Sequence, residues 1–258
     1  MILCRTLAIS AAACCVLLGG AAVAAGVTEH DARNRDVAIS DPARIVSIGG
    51  AITEILYALG FEDRLAGVDT TSLYPAAARD KPNVGYMRQL SAEGVLGLNP
   101  SLVLAVQGSG PKEAMDLLEA AKVPLVLVPE TFSEQGLLDK IRLVGHAMGA
   151  DKRAECLTAV VTDDLAQLRE LRARVTKPVR VMFVMSMLNG RAMAAGHKTA
   201  ANEIIALAVA STRSTAMTAT RSSTTRRSSR RSRTWCCRSS AARIRWTRRP
   251  YTSIPPSR

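Results

Sequence analysis

The sequence predicts an α/β fold of two lobes bridged by a long helix, with the second lobe begun and then truncated. Three observations carry this. Between Arg44 and Val128, short apolar β-rich runs alternate with amphipathic helical stretches, as in a parallel sheet flanked by helices. From Glu134 to Val175 the periodicity is helical, interrupted near Gly149-Ala150-Asp151. From Val179 the strand–helix alternation resumes, and it stops at Ala208, where the composition changes abruptly.

In chain order, Arg5 precedes an apolar run from Leu7 to Val23, broken only by Ser10 and two glycines, and small residues follow at Ala22 and Ala24. This is the layout of a secretory signal peptide over 1–25, cleaved near Ala24 or Ala25, and it predicts a periplasmic protein. A membrane anchor is the alternative, but the run is Ala-rich, barely spans a bilayer, and gives way at once to the polar segment His30 to Asp36. Cys14 invites acylation as a lipoprotein, although the Ala-Ala-Ala before it lacks the usual Leu. Cys4, Cys14 and Cys15 leave with the leader and Cys236 and Cys237 sit in the tail, so the body keeps Cys156, expected as a small packed side chain. The spacing offers no disulfide framework and no CxxC zinc site.

The first lobe, 43–130, reads as strand Arg44 to Ile48, helix Thr53 to Leu59 ended by Gly60, and strand Leu65 to Val68. Helix Ala92 to Leu98, stopped by Asn99-Pro100, strand Leu102 to Val106, helix Lys112 to Ala121 and strand Leu125 to Val128 complete it. A helical spine over 131–176 follows, its apolar stripe at Leu165, Leu168, Leu171 and Val175, and Pro178 ends it. Strand Val179 to Met185 and helix Thr199 to Ala208 start a second lobe over 177–208.

The tail, 209–258, is predicted to be disordered and not to be the protein the gene once encoded. Residues 210–258 contain no Leu, Val, Gly, Asp, Glu, Lys, Asn or Gln. They hold 13 of the 34 basic residues and no acid, so the formal charge of +12 is a property of the tail, and the body carries 21 basic against 22 acidic side chains. Electrostatic steering toward phosphates is therefore not expected of the folded part. Written in GC-rich codons, the neighbouring frame from Ala208 reads GGVNAIDGYDGYK and, through Trp235 and Cys236, VVNDEAIVAAKPDVVL. That is a loop, an amphipathic helix and a strand. Met217 and Trp235 have one codon each and both fit, which points to a one-base deletion in a G run beside the Ala208 codon, in the gene or in its sequencing.

The stretches RIVSIGGAITEILYALG, GVDTTSLYP, VGYMRQLSAEGVLGLNP and VMFVMSMLNGRAMAAGHKTAANEII resemble the haem-binding periplasmic proteins of bacterial haem ABC importers, over about Ala43 to Ala208. The resemblance implies two Rossmann-like lobes bridged by a helical backbone, haem b held edge-on between them as transported ligand, and delivery to an ABC permease at the inner membrane. It implies a monomer that is not an enzyme. The tyrosine of the family's GY-x-R motif, an axial ligand to ferric haem, maps onto Tyr86; a phenolate is a hard anionic donor that suits Fe(III). Arg88, pointing the same way in an extended loop, would lower the phenol pKa or pair with a propionate.

Tyr74 in the SLYP loop is the runner-up ligand or a cleft wall, and as a bare residue before Pro75 a loop anchor; Tyr57 lies in a helical apolar pattern and reads as core. Met187 stands where some relatives carry His, so a second strong axial ligand is not supplied; its thioether would line the cleft or occupy the sixth site. His197 in AAGHKTA falls in a cleft-lining loop of the family, whereas His146, inside a helix, reads as a satisfied surface residue. Glu93 in SAEG corresponds to the first-lobe glutamate that docks on a permease arginine pocket, and equally suits a helix N-terminus. Its second-lobe counterpart is the E of NDEAI in the neighbouring frame.

GxSxG, HExxH and P-loop motifs are missing from the sequence. Gly49-Gly50 reads as a strand-to-helix turn, too little for nucleotide binding. The readings set against haem are a cobalamin or ferric-siderophore binder on the same fold and, from another class, an Arg-rich tail that binds nucleic acid in a salt-sensitive way, a partner not expected on composition alone.

Overall fold

The computed structural model describes residues 26–40, 42–177, 179–189 and 191–208, and the backbone of 210–212, 221–223 and 234–238. The leader, Pro178 and the remainder of the tail lie outside the described residues. No helix among the described residues is long and apolar enough to cross a membrane.

The chain opens with an antiparallel hairpin of β1 (Val27–His30) and β2 (Asp36–Ile39), which the sequence reading did not contain. Then come β3 (Ile45–Ile48), α1 (Gly50–Ala58), β4 (Leu65–Val68), and a two-residue-strand hairpin of β5 (Gly85–Tyr86) and β6 (Gln89–Leu90). After it lie α2 (Ala92–Leu96), β7 (Leu102–Val106), α3 (Lys112–Ala120) and β8 (Leu125–Val128). The four main strands form a parallel sheet in the order β4-β3-β7-β8.

Alternation along these strands feeds two cores. Ile45, Leu102, Leu104, Val106, Val126 and Val128 face α1 and α4 (Glu134–Ala147), while Val46, Ile48, Val103, Ala105, Leu125 and Leu127 face α2 and α3. Both faces are dry, and this explains why the strands read as unbroken apolar runs. Each such side chain contributes about 1.5–3 kcal/mol on burial.

The spine is α4 followed by α5 (Asp151–Ala173), broken at Gly149, whose positive φ no side chain favours. α5 buries only Ala154 and Thr158, one turn apart. Cys156 sits between them on the opposite side and is exposed, which corrects the expectation of a packed thiol. Farther along, Leu165 and Leu168 are half-buried, and Leu171 and Val175 are exposed.

The second lobe is a hairpin of β9 (Val179–Leu188) and β10 (Arg191–Ala194), followed by α6 (Ala200–Leu207). β9 also receives the backbone of β11 (Ala210–Thr212) and β13 (Thr234–Arg238), both parallel, while β12 (Arg221–Ser223) pairs antiparallel with β10. Val181 and Val184 pair on both edges, with β13 along one edge and β10 and β11 along the other. These three short strands lie inside the stretch that the sequence reading left without regular structure.

Candidate functional site

The site is built at the C-terminal ends of the first-lobe strands. Asp69, immediately after β4, is 1% exposed and draws the following loop back onto α1. Its carboxylate accepts hydrogen bonds from Gly49 N (2.9 Å), Thr71 N (3.1 Å) and the hydroxyls of Thr71 (2.8 Å) and Ser72 (3.0 Å). Gly50 N donates to Thr71 Oγ1 at 3.0 Å. The glycine pair serves this contact: Gly49 has φ +119°, and a Cβ on Gly50 would lie 2.6 Å from Thr71 O. The loop so held presents Tyr74, 68% exposed.

The second tyrosine is tied to the same loop. Thr70 N donates to Gly85 O at 2.9 Å and Val84 N to Val68 O at 3.0 Å, which seats the β5–β6 hairpin beside β4. Tyr86 pairs in register with Gln89 and is 42% exposed. Met87 and Arg88 form the turn between them, so residues 85–90 close as a hairpin instead of the expected extended loop, and Arg88 lies exposed at its tip. Gly110 N to Met87 O and Leu90 N to Gly110 O, both 2.9 Å, pin the hairpin from its other side. Tyr57 is different. It is half-buried against the first core, and burial, with Glu62 and Asp80 nearby, raises its phenol pKa.

Across the molecule, a cleft of about 520 Å³ lies between the loop after β8 and the start of α6. Glu130 and Phe132 line one wall, and His197, Lys198, Asn202 and Glu203 the other. Glu130 is fixed by the buried Lys140 ammonium at 2.8 Å, and its amide donates to Gln107 Oε1 at 3.2 Å. Opposite, Thr199 caps α6 by accepting from Asn202 N at 3.2 Å and donates to Gly196 O at 2.8 Å, which orders the loop carrying the exposed His197. Met187 is 45% exposed near the end of β9 and pairs with Ala192.

The structure ties the Tyr74 loop to the Tyr86 hairpin through Thr70 and Gly85 and places His197 in the cleft; Tyr74, Tyr86, Arg88 and Met187 do not line that cleft. Glu93 is exposed in the first turn of α2, whose cap Ser91 accepts from Gly94 N at 3.0 Å, so the helix-dipole reading applies to it and its carboxylate is free at the surface. His146 bonds Asp151 at 2.9 Å as a satisfied surface residue. Sequence reasoning missed Asp69 and the cleft residues Glu130, Phe132, Lys198, Asn202 and Glu203. For Asp69 the signal was present, since an Asp followed by Thr-Thr-Ser at a strand end is a turn that bonds its own backbone. For the others it was not, because they meet only through tertiary contact.

A family model described as periplasmic binding protein matches residues 45–223. An uncharacterised ABC transporter substrate-binding lipoprotein, YvrC of Bacillus subtilis, is 35% identical over 154 residues, covering 58% of this chain and 49% of that protein. A vitamin B12-binding protein of Yersinia pestis is 31% identical over 104 residues, covering 40% of this chain and 37% of that one. Among solved structures, the periplasmic haem-binding protein RhuT from Roseiflexus sp. RS-1 is 40% identical with a TM-score of 0.63, covering 66% of this chain and 65% of that one. The periplasmic haem-binding protein BhuT, solved with two haems, is 35% identical with a TM-score of 0.67 and 70% of each chain covered. The chain thus spans half or less of the length of these two curated relatives, and about two thirds of the two solved ones.

Proposed function

The chain belongs to the periplasmic binding protein family, and from that premise we propose that it captures haem outside the cytoplasm and hands it to the permease of an ABC importer. The observation that carries this is Tyr86: the one tyrosine of the GY-x-R motif is presented on a pinned hairpin instead of packed, 42% exposed beside the equally presented Tyr74 loop. The two solved relatives above, at 40% and 35% identity, are haem-binding proteins by name, which supports the ligand class. The chain acts by binding, as its family does, and is not an enzyme.

In this reading the Tyr86 phenolate is the axial ligand to ferric haem, with Tyr74 as a second donor or wall. Arg88 at the hairpin tip and His197 on the second lobe meet the haem edge, Met187 borders it, and Glu93 docks on the permease. The protein is a monomer exported by a cleaved leader over 1–25. Its reading frame changes beside Ala208, so the second lobe is incomplete and binding is impaired. Besides the composition of the tail, the placement of strands supports this last point. β13 runs parallel to β9 at the positions where the neighbouring frame reads the strand DVVL.

Titration of the full chain with ferric haem tests the assignment. The expected result is a Soret shift with a phenolate-to-iron charge-transfer band, and Tyr86→Phe should lose the band and bind at least about tenfold more weakly, the loss of one strong ligand interaction. The B12-binding relative motivates the competing ligand: binding of cobalamin, with no Soret shift on adding haem, would replace haem by it.

A further inference from the structure

The carboxylate of Asp69 accepts from four uncharged donors and lies 1% exposed, with no salt bridge among the described residues. A buried carboxylate is a costly way to fill space, and an apolar side chain would suit stability better unless the bonds it accepts are needed. Those bonds hold two things at once. One group of donors belongs to the loop that carries Tyr74, and Gly49 N belongs to the strand-to-helix turn on which that loop rests. A hydroxyl chain continues inward from Ser72 to Thr53 (2.7 Å) and Ser47 (2.8 Å), so the loop is anchored to β3 and α1 as well. The residue next to Asp69, Thr70, donates its amide to Gly85 O, beside Tyr86.

We infer that Asp69 is a positioning residue that fixes the Tyr74 loop and the Tyr86 hairpin as one unit. It touches no ligand. It sets where the two exposed phenols stand relative to each other, and so it governs how tightly and with what iron geometry a planar ligand is met. The coupling of the two loops stands on the hydrogen bonds alone; its effect on haem rests on the function proposed above.

The test compares Asp69→Asn and Thr71→Val with Val144→Ala, a core truncation on α4, which packs on the face of the sheet opposite Val84 and Leu90. Asp69→Asn keeps the size but gives up half of the acceptor capacity. Amide exchange at Thr70, Ser72 and Leu73, and across 84–90, should speed up about tenfold, the cost of losing one or two of these bonds. Haem affinity should fall by a similar factor and the phenolate-to-iron band should shift, with circular dichroism unchanged. Thr71→Val, which removes one donor and leaves the carboxylate, should give smaller changes of the same sign and decides the matter if Asp69→Asn does not fold. Val144→Ala should lower the melting temperature while leaving the band and loop exchange as they were. Native exchange in both loops of the folded variants would overturn the inference whatever haem does. Faster exchange in a chain that shows no Soret shift would uphold the coupling and sink the haem assignment alone.

Discussion

The two lobes are written in the same alphabet and end in opposite states. In the first, strands such as Leu102–Val106 are buried at every position, because α1 and α4 cover one face and α2 and α3 the other. In the second, β9 is as apolar as any of them, yet only Val181 and Val184 are buried, and Val179, Met185, Met187 and Leu188 are exposed. α6 is the one helix after β9 among the described residues, and it buries Ile205 while leaving Ile204 66% exposed. An apolar strand does not bury itself. Crossover helices do that, and in the first lobe each strand-to-strand connection supplies a helical segment.

The sharpest way to break this contrast is to restore the frame by inserting one base beside the Ala208 codon. On the frame change proposed above, the neighbouring frame supplies a helix and a strand to cover β9. Amide protection along β9 should then rise by the free energy of a folded lobe, about 5 kcal/mol or more, while β7 is unchanged. Protection of β9 already equal to that of β7 in the present chain would show that its apolar face is covered, and the proposal of an incomplete lobe would fall. A smaller effect separates the lobes residue by residue. Leu104→Ala, at a fully buried position, should cost about 3 kcal/mol in denaturant unfolding. Leu188→Ala, at a residue 70% exposed, should cost no more than about 0.5 kcal/mol. Equal costs would refute the difference in burial on which the comparison stands.

What the sequence made legible follows the same division. Ile45–Ile48, Leu65–Val68, Leu102–Val106 and Leu125–Val128 were readable because burial on both faces writes an unbroken apolar run. α1 begins at Gly50, not Thr53, because Asp69, twenty residues away, holds the turn before its first residues and no local cap marks the start. The β1–β2 hairpin was unreadable: its strands are four residues long and half polar, and β1 is held by packing on α4. Tyr86, Tyr74 and His197 could be named from motifs, but the Met87-Arg88 turn carries no Gly or Asn to announce it. The cleft joins residues near 130 to residues near 200, a contact that no local pattern records.

The smallest effect lies inside the well-packed lobe, where the same hairpin meets α4. Glu29 is 8% exposed, and its Oε2 has no hydrogen-bond partner among the described residues. Burial raises its pKa, opposed by the charge of His146 on α4. Because the folded value stands above the unfolded one, stability from Glu29 is complete below the ordinary carboxylate pKa and is lost as pH rises through the raised value. His146 is raised by its bond to Asp151, so its share is lost in the same direction, across a higher window that starts near the ordinary imidazole value. Glu29→Gln removes the first of these and weakens the second, because the Glu29 carboxylate also helps to raise His146. It should therefore stabilise the chain by up to about 1 kcal/mol at about pH 8, with the gain fading to nothing by about pH 3, while the higher window narrows but persists through Asp151. Denaturant unfolding of both chains across that range measures it. A gain that does not change with pH would mean that Glu29 ionises alike in the folded and unfolded chain, and that even the buried carboxylate oxygen left without a partner among the described residues is wetted as freely as the side chains of β9.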